Sequence, residues 1–341
     1  MTDAKKIIVI NFFFRKPRIN GNYSIERSFF SFINFLSKKN FKVNIHISPF
    51  ESNGTFNRLF MILWAYFKQG DINHISGDIN FINLFLNKKK TISTFLDCYL
   101  LQKLRGLKLF FFKKFWIIFP LRNSTFSIAI SNDTKKELIK VDRNYVDKIQ
   151  IIPVCYHMSL KRSNKIFNHN KPIILIIGTS ENKNTVNSLK SLRNINCSVV
   201  IIGNLNDSVL KMLKKMNLEY RNYENLSDKQ INAQYKKSDI ILFPSFYEGF
   251  GLPVIEGQVC GKAVVTSNIS PMKDIAGVNG ACLVNPYKVK EIAKGILKII
   301  NNKEYRKKLI SNGLKNSEHY SPKVVAKKYM SLYYRLCEFK K

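Results

Sequence analysis

The sequence predicts an α/β protein whose parallel sheets are covered by helices. Short apolar runs that suit buried strands alternate with stretches of helical periodicity through most of the 341 residues, and this alternation is typical of parallel sheets. It lapses once, just after residue 155, and then resumes. A chain of this length suits two domains of ordinary size. We therefore expect two successive Rossmann-like units.

The first unit is expected to span residues 1–160. Its predicted strands are Ile7–Phe14, Lys42–Ser48, Asp71–Ser76, Thr91–Leu96, Phe126–Ile130 and Ile149–Val154. Helical patterns lie between them, for example at Ile25–Ser37 and Phe56–Lys68. The run Ile7–Phe14 has no small-residue cleavage site after it, so a buried strand explains it better than a signal peptide.

The second unit is expected to span residues 161–320. The polar and basic stretch Tyr156–Lys171 at the boundary between the units predicts a linker. Its predicted strands are Ile173–Ile177, Ser198–Ile202, Asp239–Phe243 and Ala263–Thr266, with a helix at Asp228–Lys237. Ser321 and Pro322 suit the N-cap and first position of a last helix in 321–341. Because ligands of such folds bind at the carboxyl ends of strands, the cleft between the units is the expected site.

Composition narrows the class of protein further. Hydrophobic residues make up 45% of the chain, which supplies ample core material. The six cysteines are scattered without a CxxC pair, so neither a zinc site nor a disulfide framework is indicated and a cytoplasmic location fits. Lys and Arg number 56 against 23 Asp and Glu, a net charge of +33. Codon bias explains part of this excess, and a basic surface also attracts phosphates.

The segment 238–268 carries the clearest signs of a ligand site. It reads as a buried strand, a loop Pro244–Gly251 and a helix Leu252–Cys260, so Gly249, Phe250 and Gly251 lie at a helix N-terminus. Free N–H groups there suit a pyrophosphate, and glycines let it come close. Glu248 and Glu256 flank the helix start. An ordinary strand–turn–helix with a dipole-stabilising glutamate is the alternative.

At these residues the chain resembles glycosyltransferase family four, the retaining GT-B enzymes. The stretch SFYEGFGLPVIEGQVCGKAVVTSN follows the family pattern nearly residue by residue. LSDKQINAQYKKSDIILFPS and IIGTSENKNT are similar to the segments that usually precede it, and NHISGDI and ISNDTKKEL to weaker landmarks. The resemblance implies a GT-B fold, a nucleotide-sugar donor and no further cofactor.

The resemblance also implies roles for individual residues. Glu256 would hold the ribose, Glu248 would stabilise positive charge on the donor sugar, and Lys183 would neutralise the leaving pyrophosphate. No metal-binding Asp-x-Asp motif stands out, so we expect catalysis without a metal, in which a cation or oriented dipoles meet the leaving charge. Further candidate donor contacts are Gly178, Asn184, Gly249, Phe250, Gly251, Leu252 and Gly21, and Asp97 is a further candidate catalytic residue.

The chain departs from the family pattern just before Asp97, where relatives often carry His and this sequence has Leu96. Leucine cannot form a hydrogen bond with a hydroxyl. A donor hydroxyl that faces Leu96 would therefore be desolvated without a partner, at a free-energy cost of about 1–3 kcal/mol. A 6-deoxyhexose donor is therefore expected. Loss of activity, or packing of Leu96 into the core, are the alternatives.

The segment Cys98–Arg122 combines six basic residues and several aromatic ones without an acidic residue. Such a composition suits the headgroup zone of a membrane. A core helix with snorkelling lysines explains it equally well. No apolar stretch approaches the roughly 20 residues that span a bilayer.

The sequence therefore predicts a retaining glycosyltransferase that acts on a lipid-linked saccharide or a surface polysaccharide such as lipopolysaccharide. It is expected to lie either free in the cytoplasm or peripherally on the inner face of the membrane. Nucleic acid is not an expected partner, because no helix-turn-helix, zinc finger or RNA-binding aromatic motif is visible. Another GT-B enzyme and a catalytically degenerate protein that supports a partner transferase remain alternatives.

Overall fold

The computed structural model describes residues 7–17, 24–37, 40–216 and 218–338. The chain divides into two compact units, one formed by Met1–Cys155 with Pro322–Lys341 and the other by Tyr156–Ser321. Within the described ranges each unit holds one six-stranded sheet, and the paired strands run parallel. The prediction of an α/β fold with two parallel sheets is confirmed.

Unit 1 has its strands in the order β2-β1-β3-β4-β5-β6. They are β1 (Ile8–Phe14), β2 (Phe41–Ile47), β3 (Ile72–Ile75), β4 (Thr91–Phe95), β5 (Phe126–Ala129) and β6 (Ile149–Ile151). The helices are α1 (Ser24–Leu36), α2 (Thr55–Tyr66), α3 (Tyr99–Lys103), α4 (Gly106–Phe112), α5 (Phe119–Arg122), α6 (Asn132–Val141) and α14 (Pro322–Glu338). A π-helical turn, Lys113–Ile118, joins α4 to α5, and shorter 3₁₀ turns lie at Asn80–Phe85, Lys88–Lys90 and Arg143–Lys148.

The C-terminal helix α14 completes the core of unit 1. Its buried face packs against the buried aromatic side chains of β1 and α1, and the ring of Tyr329 stacks on Phe32 at 4.6 Å between centroids. Tyr333 bonds to Nδ1 of His74 at 2.7 Å, and Thr94 bonds to Nε2 at 2.8 Å. Burial lowers the pKa of His74 to about 3, so the ring is a neutral structural group.

Unit 2 has its strands in the order β12-β11-β10-β7-β8-β9. They are β7 (Ile173–Ile177), β8 (Ser198–Ile202), β9 (Tyr220–Tyr223), β10 (Ile240–Phe243), β11 (Ala263–Ser267) and β12 (Cys282–Val284). The helices are α7 (Thr185–Ser191), α8 (Asp207–Met216), α9 (Asp228–Lys237), α10 (Leu252–Val259), α11 (Met272–Ile275), α12 (Val289–Asn301) and α13 (Lys303–Glu318), and a 3₁₀ turn lies at Glu181–Lys183.

Two edge strands of unit 2, β9 and β12, were not predicted from the sequence. β9 reads Tyr-Arg-Asn-Tyr and none of its residues is buried, so it lacks the apolar run that marks the central strands. β12 has only three residues. A strand that pairs along one side needs less apolar surface, and its sequence signal is correspondingly weak.

The polar stretch Tyr156–Lys171 contains no helix or strand and forms part of unit 2. The Ser163 hydroxyl donates to the Lys236 carbonyl oxygen at 3.0 Å. Lys165 pairs with the buried carboxylate of Asp239. The stretch is therefore anchored along its length.

No helix in the described part of the chain is long and apolar enough to cross a membrane.

Candidate active site

The loop between β10 and α10 forms the centre of the candidate site. It leaves the carboxyl end of β10, and Gly251 occupies the N-cap of α10 with φ of 105°, a left-handed conformation that glycine adopts without strain. The first turn of a helix leaves N–H groups without intrahelical partners. The partial positive charge at this end of α10 suits an anionic ligand.

The neighbouring strand β7 contributes a second loop at the same edge. β7 and β10 pair directly in parallel, so the segments that follow them emerge side by side. Two hydrogen bonds join these segments, because the Phe246 N–H donates to the Asn182 carbonyl at 2.8 Å and the Asn182 amide donates to the Tyr247 carbonyl at 3.0 Å. The two loops therefore form one surface.

Lys183 and Glu248 meet on this surface. The Lys183 ammonium lies 2.7 and 2.9 Å from the two carboxylate oxygens of Glu248, and it lies 5.0 Å from the centre of the Phe243 ring. A Cβ at Gly178 would come within 2.9 Å of the Lys183 side chain. Glycine at 178 thus leaves the room that the lysine stem occupies. The structure joins two of the predicted catalytic residues in one ion pair.

Glu256 is held by a residue that sequence analysis did not single out. The hydroxyl of Tyr235, on α9, donates to Oε2 of Glu256 at 2.5 Å. The Tyr235 side chain is fully buried, and burial, reinforced by the charge of Glu256, raises its pKa well above the usual value. The phenol therefore stays protonated and acts as a fixed donor that orients the carboxylate. Within LSDKQINAQYKKSD no spacing distinguishes this tyrosine from a core residue.

Several predicted donor contacts serve the fold of the loop. The buried amide of Asn184 donates to the carbonyls of Pro244 and Pro286 at 2.9 and 2.7 Å, so it fixes the loop after β10. The side chains of Phe250 and Leu252 are buried, and Phe250 packs against Tyr320. For these two residues only the backbone is available to a ligand, as it is for Gly249 and Gly251.

In unit 1, Asp97 lies after β4 and is exposed. Its Oδ1 accepts a hydrogen bond from the Tyr99 N–H at 2.9 Å, which supports the start of α3. Leu96 is half-buried against Gly77, where an added Cβ would come 2.4 Å from its Cγ. Its contact with a 6-deoxyhexose stays a prediction. Gly21, predicted to approach the donor, lies outside the described residues.

Sequence analysis also missed Arg15, directly after β1. Its guanidinium pairs with the Glu26 carboxylate at 2.7 Å and with the Asp78 carboxylate, and only 15% of its side chain is exposed. The indole N–H of Trp116 donates to the Asp78 carbonyl at 3.0 Å. A single arginine after a strand carries no sequence signal, because its two partners are far apart in the chain.

No group of three or more His, Cys, Asp or Glu side chains that could hold a metal ion occurs among the residues that the structure describes. Metal independence stays a prediction.

Comparison with known proteins gives a consistent result for the second unit. The family model described as glycosyl transferases group 1 matches residues 159–316. The serotype-specific mannosyltransferase WbdA of Escherichia coli is 32% identical over 96 residues, which are 28% of this chain and 12% of that protein. An O-antigen chain mannosyltransferase B of Escherichia coli is 32% identical over 94 residues, 28% of this chain and 24% of its own length. The matches thus span less than a quarter of these relatives.

Comparison of structures extends over the whole chain. The crystal structure of Anabaena HepE in complex with UDP-glucose aligns with a TM-score of 0.78 at 12% identity, covering 95% of this chain and 99% of that one. A likeness at this identity shows the fold. Residues 159–316 are thus similar to the group 1 glycosyltransferases, and the chain has the GT-B fold of two Rossmann-like units.

Proposed function

We propose that the protein is a retaining glycosyltransferase that moves a hexosyl or deoxyhexosyl group from a nucleotide-sugar to a saccharide acceptor. The observation that carries the proposal is the Lys183–Glu248 pair, held beside the N-terminus of α10. A cation and a helix N-terminus suit the pyrophosphate of a nucleotide-sugar. The anion would draw the Lys183 ammonium toward the phosphates and leave Glu248 facing the sugar.

In the proposed reaction the bond between the sugar's anomeric carbon and the phosphate oxygen breaks, and a bond from the acceptor oxygen to that carbon forms on the same face. The leaving phosphate takes the proton of the acceptor hydroxyl. Lys183 stabilises the negative charge that grows on the phosphate, and the Glu248 carboxylate stabilises the positive charge on the sugar. Both interactions strengthen in the transition state, which is the condition for acceleration.

Glu256 and Tyr235 would hold the nucleoside. A carboxylate accepts hydrogen bonds from two adjacent hydroxyls, which is the pattern that a ribose offers. Because Tyr235 already donates to Oε2 of Glu256, the carboxylate is fixed before the donor arrives, and less entropy is lost on binding. The proposal requires no cofactor besides the donor and the acceptor.

The proposed acceptor is a lipid-linked saccharide or a growing surface polysaccharide, such as a lipopolysaccharide chain. The name of the O-antigen chain mannosyltransferase supports this class of acceptor. The complex of HepE with UDP-glucose supports a nucleotide-sugar donor. The degenerate alternative is not favoured, since Lys183, Glu248 and Glu256 are all in place.

Thermal unfolding with UDP-, GDP- and dTDP-sugars tests the donor class. We expect one nucleotide class to raise the unfolding temperature, because a ligand at 100 times its dissociation constant adds about 2.7 kcal/mol to the free energy of unfolding. The Glu256→Ala variant, which lacks the proposed ribose contact, should show a smaller shift at the same concentration. Equal, small shifts with all three classes, or none, would contradict the proposal.

A surface of unit 1 supports a peripheral location on the inner face of a membrane. The outward side of α2 is apolar although its inward side, with Met61, Ile62 and Ala65, is already buried. We use the name aromatic face for the exposed apolar residues of α2, of its C-cap Phe67 and of the helical segment 106–118: Phe56, Leu59, Phe60, Leu63, Phe67, Leu107, Phe110, Phe111 and Phe115.

The charge around the aromatic face favours anionic lipid as its partner. The segments 54–68 and 98–122 contain eight Lys or Arg residues and no Asp or Glu. The Arg58 guanidinium lies 4.8 Å from the centre of the Trp116 ring, so α2 and the helical segment lie side by side. Exposed apolar side chains among basic ones suit the boundary between headgroups and acyl chains.

We expect the protein to sediment with phosphatidylglycerol liposomes at low salt and to detach partly as salt rises, since screening weakens the electrostatic contribution. Phe56→Ser with Phe60→Ser should reduce binding at every salt concentration. The matched control is Val278→Ser with Leu297→Ser, two exposed apolar residues of unit 2. Equal loss in both double variants, or no sedimentation of the wild type, would contradict a membrane role for the aromatic face.

A further inference from the structure

Unit 2 has a second concave surface that the proposed reaction does not use. A cavity of about 1130 Å³ lies between the stretch 162–169 and one face of α13. On α13 it is lined by residues that recur at helical spacing: Lys303, Arg306, Lys307, Ile310, Ser311 and Leu314. Its volume lies slightly above the range of about 300–1,000 Å³ that is usual for small-molecule sites. We call it the basic pocket.

The walls of the basic pocket are fixed by specific contacts. The Ser163 N–H donates to the Cys260 carbonyl at 3.1 Å. The Arg306 guanidinium lies 3.9 Å from the centre of the Phe167 ring and donates to the last carbonyls of α12, those of Ile299 and Ile300, at 2.5 and 3.0 Å. The stretch 162–169 and α13 are thereby joined, and the space between them is a formed site.

The charge in the pocket is unbalanced. Five Lys or Arg side chains and His169 line it, and none of the described lining residues is Asp or Glu. Lys165 pairs with Asp239, and Lys307 pairs with Glu304 on the surface at 3.0 Å. Among the described residues, no hydrogen bond or ion pair is found for the side chains of Arg162 and Lys303. Two cations therefore face this space without a counter-charge.

A buried lysine beside the pocket also has a lowered pKa. Burial, together with the charge of Lys165, lowers the pKa of Lys262 to about 8. Lys262 directly follows Gly261, which lines the pocket beneath the Arg162 side chain. An anion in the pocket would relieve this repulsion.

We propose that the basic pocket binds an organic phosphate, with Arg162 and Lys303 as its phosphate ligands. The apolar side chains of Ile166 and Ile310, which also line the pocket, would contact the organic part. A guanidinium and an ammonium both favour phosphate oxygens.

The basic pocket is distinct from the candidate active site. Gly261 precedes β11 and the stretch 162–169 precedes β7, so the pocket lies at the amino-terminal edge of the sheet. Lys183 and the loop before α10 lie at the carboxyl-terminal edge. The proposal rests on binding and holds whether or not the proposed transfer reaction is correct.

Calorimetric titration with inorganic pyrophosphate tests the proposal. The titration is made in the Lys183→Ala background, so that binding at the candidate active site does not obscure the result. Adding Arg162→Ala and Lys303→Ala should lower the affinity on the order of a hundredfold, since two charged hydrogen-bond donors are lost. The matched control, Lys211→Ala with Lys214→Ala, removes the same charge from the exposed face of α8 and should change the affinity less than about threefold.

An equal loss in the two double variants would show that general surface charge is responsible and would overturn the proposal, as would the absence of pyrophosphate binding. The charge-conserving exchange Arg162→Lys with Lys303→Arg should retain most of the affinity. Competition then identifies the source of the phosphate. Displacement by glucose 1-phosphate indicates a phosphorylated saccharide, and displacement by dibutyryl phosphatidylglycerol indicates a lipid headgroup. If neither compound displaces pyrophosphate, the pocket does not bind an organic phosphate and the proposal is wrong.

Discussion

Replacing Lys183 by alanine is expected to lower the rate of sugar transfer about 100-fold or more, because the leaving pyrophosphate loses the cation that stabilises its growing charge. The rate is measured with saturating donor, so that weaker binding does not contribute. The control is Lys190→Ala, an exposed lysine of α7 in the same unit, and it should leave the rate unchanged.

The ion pair with Glu248 raises a second explanation, which recovery of activity in a double variant would support. Lys183→Ala leaves a carboxylate that is 11% exposed without its partner, and such a group costs stability. If this stranded charge caused the loss, Lys183→Ala with Glu248→Gln would recover activity. We expect the double variant to be no faster than Lys183→Ala. Recovery toward the wild-type rate would contradict a catalytic role for Lys183.

Replacing Glu256 by alanine is expected to weaken donor binding by about 1.5–3 kcal/mol, since charged hydrogen bonds to the ribose are removed. Titration with the nucleoside diphosphate alone measures this effect without the sugar. Because the carboxylate lies away from the reacting bond in the proposed arrangement, the rate at saturating donor should change less than the affinity. An unchanged affinity would show that Glu256 does not contact the nucleoside.

The variant Tyr235→Phe distinguishes the contribution that the orientation of Glu256 makes to donor binding from the contribution of its charge. The variant removes only the hydroxyl that donates to Oε2 of Glu256 and keeps the buried ring. We expect a loss of affinity smaller than that of Glu256→Ala. In the double variant the Tyr235 substitution should add little, because the group that it orients is gone. Fully additive losses would indicate that Tyr235 acts through the packing of α9.

Strands that lie inside the sheets could be predicted from the sequence because both of their faces are buried. The strands Ile173–Ile177 and Ser198–Ile202 occur with the predicted bounds. Each is a short, mostly apolar run, which is typical of a strand that is buried on both faces of a parallel sheet. The edge strand β9 could not be predicted, because one side of it lacks a partner and its residues are mostly polar. The extended conformation of β9 is determined by its pairing with β8. The residues of β9 themselves show no pattern that predicts a strand.

In the candidate site, too, features within one segment could be predicted from the sequence, but contacts between distant segments could not. The loop before α10 could be predicted, because glycines and glutamates at close spacing carry the pattern within one segment. The contacts that complete it could not. Tyr235 lies 21 residues from Glu256 and Asn182 lies 65 residues from Tyr247, and each is an ordinary residue in its own segment. Only the fold brings these residues to the loop.

Asn184 shows how a predicted site residue acquires a structural role. The sequence places it between Lys183 and a helix, where a donor contact is reasonable. In the structure its amide is buried and already donates to two carbonyls. The residue therefore acts on the site by fixing the loop after β10.

Release of nucleoside diphosphate from nucleotide-sugars tests the central claim most directly. The wild type, Lys183→Ala and Glu248→Gln are incubated with UDP-, GDP- and dTDP-sugars, and the products are followed by mass spectrometry. We predict that the wild type releases the nucleoside diphosphate from one class of donor and that both variants lose most of this activity while remaining folded. Release by all three proteins at the same rate, or by none of them with any donor, would contradict the assignment of Lys183 and Glu248 as the residues that carry out sugar transfer.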